Sequence, residues 1–421
     1  MRLDLGRARL RQVYDEYPPQ FWTLVGATFV DHLGGSLLFP FFSLYITQKF
    51  GVGMTHVGLV FGAFAVMSLV GGILGGALTD YLGRKKMLIF GLVVSALSML
   101  VLGVVGRFEV FFGLSVVVGL LSSTGGPAQQ AMVADLLPEE KRAQGFGIIR
   151  VAFNLAVVIG PAIGGLLASR SYMLLFVCDA VASLTTASIV ALTMRETRPE
   201  RPAGQPQPGM AQALAGYRDV ARDRTYLLFI LCCMVMTVVY IQMNTSLGVY
   251  LRDVHGVPTQ GYGYILSLNA AMVVLLQFPI TRRISRYRPM LMMASGALLY
   301  ALGFAMYGFV EAYAMFMAAM VIITIGEMLV APVSQALVAG LAPEDMRGRY
   351  MAAFGLSWAV PWAVGPLLAG LVMDGFDPRW VWYAAGVLGL VATAGFLLLQ
   401  GRVERRTGEL VEPAALPVAE G

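Results

Sequence analysis

Two stretches of this chain repeat one another at a constant spacing of 205 residues, because residues 125–171 align without a gap on residues 330–376. The matched positions include prolines, glycines and polar residues. Among the pairs are Pro127/Pro332, Gln130/Gln335, Pro138/Pro343, Arg142/Arg347, Gly160/Gly365 and Pro161/Pro366. The same spacing relates Tyr45, Gly51 and Gly58 to Tyr250, Gly256 and Gly263. One half of the chain is therefore a copy of the other in the same order.

Composition places both copies in a membrane. The chain is 57% hydrophobic and 13% charged, with a mean hydropathy of +0.72, whereas a soluble domain carries about 25% charged residues. Twelve apolar segments reach the roughly 20 residues that cross a bilayer as a helix, and in lipid such segments must be helical to satisfy their own backbone. The predicted segments are 21–47, 55–79, 86–106, 109–135, 144–168, 172–194, 226–251, 261–281, 288–309, 312–339, 348–373 and 379–400.

The basic residues give the direction in which these segments cross the membrane. Most of the 30 Lys and Arg residues fall in the N-terminal tail, the loops after even-numbered segments and the C-terminal tail. The opposite loops hold only Lys49, Arg107, Arg170, Arg252 and Arg379. Because basic loops stay on the cytoplasmic side, both termini are predicted to be cytoplasmic. This distribution accounts for the net charge of +5 without a nucleic-acid partner.

The two halves meet at a stretch rich in Pro, Arg and Gln. We predict an N-terminal six-helix bundle over residues 1–197, a cytoplasmic linker over 198–225, a C-terminal six-helix bundle over 226–402 and a cytoplasmic tail over 403–421. The predicted fold is thus an all-α membrane protein of twelve helices in two bundles. Parallel repeats of several helices are typical of secondary transporters, which hold substrate and ions between the halves.

The loop after the second segment carries the most specific motif, GALTDYLGRK, which begins at Gly76. Asp80 ends the helix, Gly83 lets the chain turn, and Arg84 faces the cytoplasmic headgroups. This spacing resembles the signature of the major facilitator superfamily in the loop between its second and third helices. Tyr81 departs from the basic residue usual there. The equivalent loop of the second half keeps basic residues but loses the glycines and the acid.

A second motif lies on the fifth segment, where Gly160 and Pro161 are followed by Gly164 and Gly165. Proline removes a backbone donor and glycine removes a side chain, so a helix can bend there and pack closely on a neighbour. The motif resembles the signature of superfamily members that export substrates against protons, with Ala156 in place of its first glycine. The arginine motif common on the family's fourth helix is not found.

The resemblance covers the whole chain. Residues 326–335 on the tenth segment and 242–247 on the seventh are similar to drug:proton antiporters of the LmrP and MdtH types, which are multidrug exporters. In the LmrP type, the acid that matches Glu327 interacts with protons and drugs, so the resemblance implies that role here. Asn244 stands where that type has an acid, which removes one titrating site.

Two carboxylates lie near the middle of predicted membrane helices. Asp31 is about ten residues into the first segment and Glu327 about fourteen into the tenth, or roughly 15–21 Å along the helix axis. An acid at that depth costs at least about 2.5–3.5 kcal/mol on insertion scales and usually lines a cavity or a proton path. We therefore predict that Glu327 and Asp31 couple protons; a hydrogen-bonded structural acid is the alternative at each position.

The resemblance also implies which residues line the substrate cavity. In the resembled fold the first, fourth, seventh and tenth helices face the cavity, which places Asp31 and Glu327 there. Tyr240 and Asn244, one turn apart on the seventh segment, are predicted to share that face. His32 is rotated by about 100° from its neighbouring acid and is predicted to be a packed neutral histidine.

Two further polar residues lie inside predicted helices. Asp179, about seven residues into the sixth segment, is predicted to make an interhelical polar contact rather than to take part in transport. Arg150 lies about seven residues, or roughly 10 Å, inside the fifth segment.

A cytoplasmic gate follows by analogy with the resembled family. The family often has an acid at the position of Asp135 that pairs with the loop arginine, which implies that Arg84 is paired here. The predicted gating residues are Asp80, Gly83, Arg84, Asp135, Gly160 and Pro161.

The sequence offers no motif of an enzyme. It has no phosphate-cradling P-loop, no G-x-S-x-G elbow and no cluster of metal ligands. The lack of a P-loop also argues against direct ATP coupling. Cys178, Cys232 and Cys233 fall in apolar segments and are predicted to be buried without disulfides. We expect no cofactor, no nucleic acid and a monomer in the cytoplasmic membrane, with small lipophilic molecules, protons and the lipid bilayer as partners.

Three functions remain open. The leading hypothesis is a secondary active transporter that exports lipophilic or cationic compounds by proton-coupled alternating access. The alternative is a transporter of a specific metabolite or lipid, by uptake or flipping, and a third is a non-transporting membrane sensor. The motif at Gly160 and the mid-membrane Glu327 favour the first.

Overall fold

The computed structural model describes residues 14–198, 217–284, 286–343 and 346–407, and within these ranges the chain forms helices and no strands. Twelve of these helices are long and apolar enough to cross a membrane, which confirms the predicted fold class. They are α1 (Pro19–Phe50), α2 (Met54–Leu82), α3 (Arg84–Val104), α4 (Phe108–Leu136), α5 (Glu139–Ala168), α6 (Tyr172–Thr193), α7 (Arg224–Thr245), α8 (Thr259–Ile284), α9 (Pro289–Phe309), α10 (Tyr313–Leu341), α11 (Arg347–Gly375) and α12 (Trp380–Thr407).

Two helices are interrupted at positions that the repeat relates. In α1 a 3-10 turn over Phe39–Phe41 precedes a last segment, Phe42–Phe50, and α7 is followed by the separate segment Leu247–His255. These last segments begin and end at the repeat spacing of 205 residues. Each ends at a glycine with a left-handed backbone, Gly51 at φ 65° and Gly256 at φ 64°. Glycine adopts that conformation without strain, so both copies keep the same helix cap.

The break in α1 has a visible cause in the sequence, and the break after α7 has none. Pro40 lies in the 3-10 turn and has no N–H to donate, which favours an interruption. No proline lies near Thr245, and the predicted segment 226–251 is wrong in running through this break. Discontinuous membrane helices are typical of transporters near the sites that hold substrate or ions.

Contacts divide the chain into two compact units. The first contains the described residues up to 198 together with Met243–Ala271 and Pro366–Asp374. The second contains the described residues of 217–242, with Met272–Gly365 and the described residues from Gly375 onward. The predicted division into residues 1–197 and 226–402 follows the repeat instead of these contacts, and it remains a prediction.

Parts of the predicted linker and tails lie outside the described residues. These parts are 1–13, which include Arg2, Arg7, Arg9 and Arg11, then 199–216 of the linker and 408–421 of the tail. The described end of the linker forms a short helix, Tyr217–Arg222, immediately before α7. The predicted cytoplasmic position of both termini therefore remains a prediction.

Glycines related by the repeat make equivalent close contacts within the first unit. Gly165 on α5 meets Gly263 on α8, where a Cβ on either residue would lie 2.8 Å from the Cα of the other. At the repeat spacing, the residues equivalent to Gly165 and Gly263 are Gly370 on α11 and Gly58 on α2. A Cβ on Gly58 would lie 2.3 Å from the Cα of Leu367 in α11, and a Cβ on Gly370 would lie 2.4 Å from a carbonyl oxygen of α2. Small residues thus bring both helix pairs into backbone contact.

Replacing Gly58 with valine is expected to destabilise the protein, because overpacking against a rigid neighbour costs typically about 1–3 kcal/mol. Gly72→Val on the same helix is the matched control, since a Cβ at Gly72 would meet no atom within 4 Å. The midpoint of thermal unfolding of the purified protein is the measurement. Equal midpoints for Gly58→Val and Gly72→Val would contradict the backbone contact between α2 and α11.

Candidate functional site

A polar seam runs between α1 and α6 in the first unit. The Thr186 hydroxyl donates to the Ala27 carbonyl oxygen at 3.1 Å, and the Ser183 hydroxyl donates to Asp31 Oδ1 at 2.8 Å. Ala27 and Asp31 are one helical turn apart on α1, and Ser183 and Thr186 are one turn apart on α6. Each pair therefore lies on one face of its helix. The predicted coupling residue Asp31 thus lies at a helix–helix contact, and its side chain remains 30% exposed.

Asp179 continues this seam by one turn. It fits against α1 because Gly34 has no side chain: a Cβ there would lie 2.8 Å from Asp179 Oδ1 and 3.0 Å from the Asp179 Cα. Asp179 is only 5% exposed. Among the described residues, no group donates a hydrogen bond to Asp179. The contact predicted between helices is therefore made at Gly34, about one turn after Asp31 on α1.

His32 is held by groups other than the neighbouring acid. Its Nδ1 lies 2.9 Å from the Thr28 carbonyl oxygen and donates a hydrogen bond to it, since a carbonyl oxygen only accepts. The imidazole edge packs on Phe153 with ring centroids 4.8 Å apart. The distance from Nδ1 to Asp31 Oδ2 is 4.0 Å, which is too long for a hydrogen bond. These contacts support the packed histidine predicted from the sequence.

Glu327 lies among aromatic side chains in the second unit. The Tyr240 hydroxyl on α7 donates to Glu327 Oε1 on α10 at 2.9 Å. The Tyr240 ring stacks on Tyr300 of α9 with centroids 5.7 Å apart, and Trp358 of α11 meets it edge-on at 5.9 Å. Four helices therefore bring one carboxylate and three rings together. Two of the four predicted cavity residues are joined here by a direct hydrogen bond.

The other two predicted cavity residues, Asp31 and Asn244, belong to the first unit. Asn244 is one turn after Tyr240 along α7 and is partly buried. Whether these two residues share a cavity with Glu327 remains a prediction from the family resemblance.

The loop after α2 forms a charge cluster around the buried Arg84 within the first unit. Arg84 is 8% exposed; its Nε donates to Asp135 Oδ2 at 3.0 Å, and its NH1 lies 3.3 Å from Asp80 Oδ1. Gly83, at φ 106°, lets the chain turn between α2 and α3. The three charged residues that the resemblance grouped together are therefore in contact. Their role as a gate remains a prediction.

Sequence reasoning missed Glu196, which follows α6 and completes this cluster. Its carboxylate accepts hydrogen bonds from the backbone N–H of Arg84 at 2.8 Å and of Lys85 at 3.3 Å. These donors belong to the first turn of α3, where no helical carbonyl can serve them. Gly83 leaves room for the acid, since a Cβ there would lie 2.4 Å from Glu196 Oε2. Glu196 follows Arg84 by 112 residues, so no local pattern in the sequence indicates this helix cap.

Gly160 and Pro161 lie inside a continuous α5. A Cβ on Gly160 would lie 2.4 Å from the Ser36 Cβ on α1. The repeat relates this contact to the one between Gly365 and Ile241 in the second unit, where the corresponding distance to Ile241 Cδ1 is also 2.4 Å. The motif therefore packs α5 closely against α1. A gating bend at Pro161 remains a prediction.

Asp374, near the end of α11, was also missed from the sequence. Its carboxylate oxygens accept hydrogen bonds from the backbone N–H groups of Met54 at 2.9 Å and Thr55 at 2.8 Å, which begin α2. Gly53 leaves room for it, because a Cβ there would lie 2.4 Å from Asp374 Oδ2. Within the first unit, α11 is therefore joined to α2 by a helix cap as well as by glycine packing.

In the second unit, Asp223 ties the starts of α7 and α11 to the end of α12. Its carboxylate accepts hydrogen bonds from the Tyr350 hydroxyl at 2.7 Å, the Tyr226 backbone N–H at 3.1 Å and the Arg406 guanidinium. Burial acts to raise the pKa of Asp223, but the hydrogen bonds from Tyr350 and Arg406 outweigh burial and hold the pKa below its ordinary value of 3.8. Asp223 falls within the predicted linker over 198–225, and this cluster was not predicted from the sequence.

Cysteine and metal chemistry take no visible part in either unit. Cys178, Cys232 and Cys233 are free thiols; Cys233 is buried as predicted, whereas Cys178 and Cys232 are only partly buried. In the part of the chain that the structure describes, no group of three or more His, Cys, Asp and Glu residues could hold a metal ion.

Twelve membrane helices, a parallel internal repeat, two repeat-related helix breaks and acids within the spans together define a secondary transporter. The chain belongs to the Major Facilitator Superfamily, whose sequence profile matches residues 24–363 and 261–420. It is a multi-pass membrane protein, which in bacteria resides in the cell membrane.

Similar proteins are themselves transporters and not enzymes. The chain is 26% identical over 395 residues to the Na(+), Li(+), K(+)/H(+) antiporter of Planococcus maritimus, covering 86% of this chain and 91% of the antiporter. It is 23% identical over 381 residues to the multidrug resistance protein MdtH of Escherichia coli (strain SE11), covering 89% and 93% of the two chains. Small molecules and ions are thus the substrates of its relatives.

Solved structures of other transporters share the fold. A mutant of the nucleoside transporter NupG superposes with a TM-score of 0.74 at 14% identity, covering 90% of this chain and 99% of NupG. A POT family transporter in complex with 5-aminolevulinic acid superposes with a TM-score of 0.73 at 16% identity, covering 92% and 97%. At such identities the likeness establishes the fold alone.

Glu196→Gln is expected to loosen the first turn of α3, because a neutral amide is a weaker acceptor and loses its attraction to the helix dipole. Amide hydrogen exchange at Arg84 and Lys85 should quicken, which hydrogen–deuterium exchange mass spectrometry of a peptide covering 83–88 would measure. Glu109→Gln is the matched control, since Glu109 is an exposed acid whose partner is its sequence neighbour Arg107. Unchanged exchange in Glu196→Gln would contradict the capping role.

Asp223→Asn is expected to lower the midpoint of thermal unfolding by an amount that does not change with pH between about pH 5 and pH 8. The folded pKa of Asp223 lies below 3.8, so its stabilisation is fully present above pH 3.8 and is lost only as the pH falls through the folded value. Asp253→Asn, which removes an acid that is 52% exposed, is the control. A difference that stays the same as the pH is lowered below 3.8 would contradict the lowered pKa of Asp223.

Proposed function

We propose that this transporter exports lipophilic cations in exchange for protons, and that Glu327 is the residue where proton and substrate compete. The proposal rests on one observation: Glu327 accepts a hydrogen bond from Tyr240 inside a group of aromatic rings. A carboxylate beside aromatic faces suits a lipophilic cation, because the rings attract positive charge and offer apolar surface.

The exchange follows from the charge of one carboxylate. A cation that binds beside Glu327 stabilises the ionised form, so binding releases the proton. A proton that returns to Glu327 removes the negative charge, so the cation is released. If the proton returns from the outer side only, the two half-reactions drive export. The Tyr240 hydroxyl helps because it donates to the ionised carboxylate and holds it in place while the substrate is bound.

The proposed moving bodies are the two halves of the repeat, residues 1–197 and 226–402, acting as a monomer with both termini in the cytoplasm. Alternating access requires each half to move as a whole. The contacts of Arg84 with Asp80, Asp135 and Glu196 support this, since they tie α2, α3, α4 and the end of α6 together. In this proposal Asp80, Gly83, Arg84 and Asp135 shape the cytoplasmic gate.

The relatives' names support exchange against protons. One is named as an antiporter of monovalent cations and protons, and another as a multidrug resistance protein. A transporter of one specific metabolite or lipid is the competing proposal. It would be favoured by transport of a neutral compound that does not depend on the charge at residue 327.

Glu327→Gln is expected to abolish transport driven by a pH gradient, because a neutral amide neither holds a proton nor attracts a cation. The measurement is uptake of ethidium, a fluorescent lipophilic cation, into liposomes that contain the purified protein and carry an imposed pH gradient. Glu311→Gln, which removes an acid that is 81% exposed, is the matched control and should transport normally. Asp31→Asn is expected to be impaired less.

Tyr240→Phe tests the hydrogen bond separately. The substitution removes a hydrogen bond to a charged group, and such a bond contributes about 1.5–3 kcal/mol. Its loss should therefore reduce ethidium uptake without abolishing it. Normal uptake by Glu327→Gln protein that is correctly inserted would refute the coupling role. Uptake of a neutral lipid or metabolite by both the native protein and Glu327→Gln, with no ethidium transport by either, would favour the competing proposal.

A further inference from the structure

The second half of the repeat contributes two pieces to the first unit. One is Met243–Ala271, which contains the segment Leu247–His255 and the start of α8, and the other is Pro366–Asp374 at the end of α11. Both pieces border loops that hold few basic residues, which are predicted to lie outside the cell. In alternating access a transporter opens to that side only when its two halves separate there. The contacts that these pieces make with the first half must therefore break in each cycle.

One group of these contacts joins α5, α6 and α1 to the piece Met243–Ala271. Beside the packing of Gly165 on Gly263, the hydroxyls of Tyr172 and Thr259 lie 3.2 Å apart and share a hydrogen bond. The Arg252 guanidinium donates to the Leu44 carbonyl oxygen at 3.4 Å. Its charge is matched by the adjacent Asp253, which accepts from it at 2.6 Å and 2.9 Å. This group therefore holds the halves together by packing and by weak polar contacts.

The repeat-related group, between α2 and α11, contains a charged contact instead. Asp374 Oδ1 accepts a hydrogen bond from the Met54 backbone N–H at 2.9 Å, and its Oδ2 accepts one from the Thr55 N–H at 2.8 Å. Both donors belong to the first turn of α2, where no helical carbonyl can serve them, and the helix dipole there attracts a negative charge. At the repeat spacing the residue equivalent to Asp374 is Ser169, so the other group has no such acid.

The backbone before α2 is shaped to receive this carboxylate. Gly53 precedes the helix, and a Cβ there would lie 2.4 Å from Asp374 Oδ2 and 2.7 Å from its Cγ. The acid lies on the second half of the repeat and the donors lie on the first, so separation of the halves removes both hydrogen bonds at once. Asp377 serves a different purpose, since it accepts from the Arg379 N–H in its own loop at 2.9 Å.

We propose that Asp374 is the latch of the outer gate, a positioning residue that keeps the outer ends of the two halves together. The carboxylate binds the start of α2 while the transporter is closed to the outside, and it leaves α2 when the transporter opens. Asp374 does not contact the transported compound in this role. The proposal goes beyond the exchange proposed at Glu327, because it applies to any compound that the protein carries.

The test is the distance between two spin labels, measured by double electron–electron resonance on purified protein in liposomes without any transported compound. The labels are attached through Arg107→Cys in the first half and Val254→Cys in the second, both exposed residues at the outer ends. The three native cysteines are replaced by alanine. Asp374→Asn should raise the ratio of long to short distances at least about tenfold, because charge-assisted hydrogen bonds and the attraction to the helix dipole are weakened together.

A glycine pair tests the latch without changing any charge. Gly53→Ala should raise the same ratio, because its Cβ occupies the place of the carboxylate and pushes Asp374 away from α2. Gly106→Ala is the matched control, since a Cβ at Gly106 would meet no atom within 4 Å. If Asp374→Asn does not fold, the comparison of Gly53→Ala with Gly106→Ala decides the matter.

Two further variants separate the latch from general loosening and from the repeat-related contact. Asp377→Asn removes an acid of the neighbouring loop and should leave the distances unchanged. Thr259→Ala removes the hydroxyl contact between α6 and α8 and should shift the distances less than Asp374→Asn does. Glu327→Gln, measured with the same labels, should still respond to Asp374→Asn, which separates this test from the function proposed above.

Three outcomes would overturn the assignment. Unchanged distances in folded Asp374→Asn, or in Gly53→Ala, would show that the carboxylate does not hold the gate. An equal shift in Asp377→Asn would reduce the effect to loss of charge at the outer surface. A shift in Thr259→Ala as large as that in Asp374→Asn would show that the acid has no special part in closing the outer side.

Discussion

Close contact between helix backbones at glycine is the interaction on which both units depend. Lipid is as apolar as a leucine side chain, so burial of apolar surface does not bring membrane helices together, and packing must do so. Helix α2 meets α4 at Gly71 and Gly75, α3 meets α4 at Gly91, and α9 meets α10 at Gly296 and Gly326. These crossings position the charge cluster beside α3 and the carboxylate of α10, because glycine contacts hold α3 and α10 against their neighbouring helices.

Much of this arrangement could be predicted because it is local or repeated. Helices follow from apolar length alone, since lipid leaves the backbone no other way to satisfy its hydrogen bonds. The pairing of Arg84 with Asp135 followed from the resemblance of the loop motif, and the structure shows the two residues in contact. Glu327 was selected because an acid within a membrane helix is rare and costly, and Tyr240 was selected because the seventh helix faces the cavity in the resembled fold.

The features that were not predicted depend on which helix ends lie next to each other in the folded chain. Glu196 and Asp374 each cap a helix that is distant in sequence, and nothing near either acid indicates its partner. Asp179 was predicted to make an interhelical contact, but the sequence does not show that Gly34 is the residue that makes room for it on α1. The break after Thr245 carries no proline, so only its repeat-related copy near Pro40 could have suggested it.

The acids Asp31 and Glu327 belong to different units, and in the proposed exchange the number of them that deliver a proton in each cycle determines how membrane voltage acts on transport. A carrier that exchanges one proton for one monovalent cation moves no net charge and gains nothing from the voltage. If the carboxylates of both units each deliver a proton in one cycle, one net charge crosses the membrane. Each 100 mV then contributes about 2.3 kcal/mol to export. If the chain exchanges protons as proposed, the number of acids that titrate in a cycle decides whether the cell's electrical potential contributes to export.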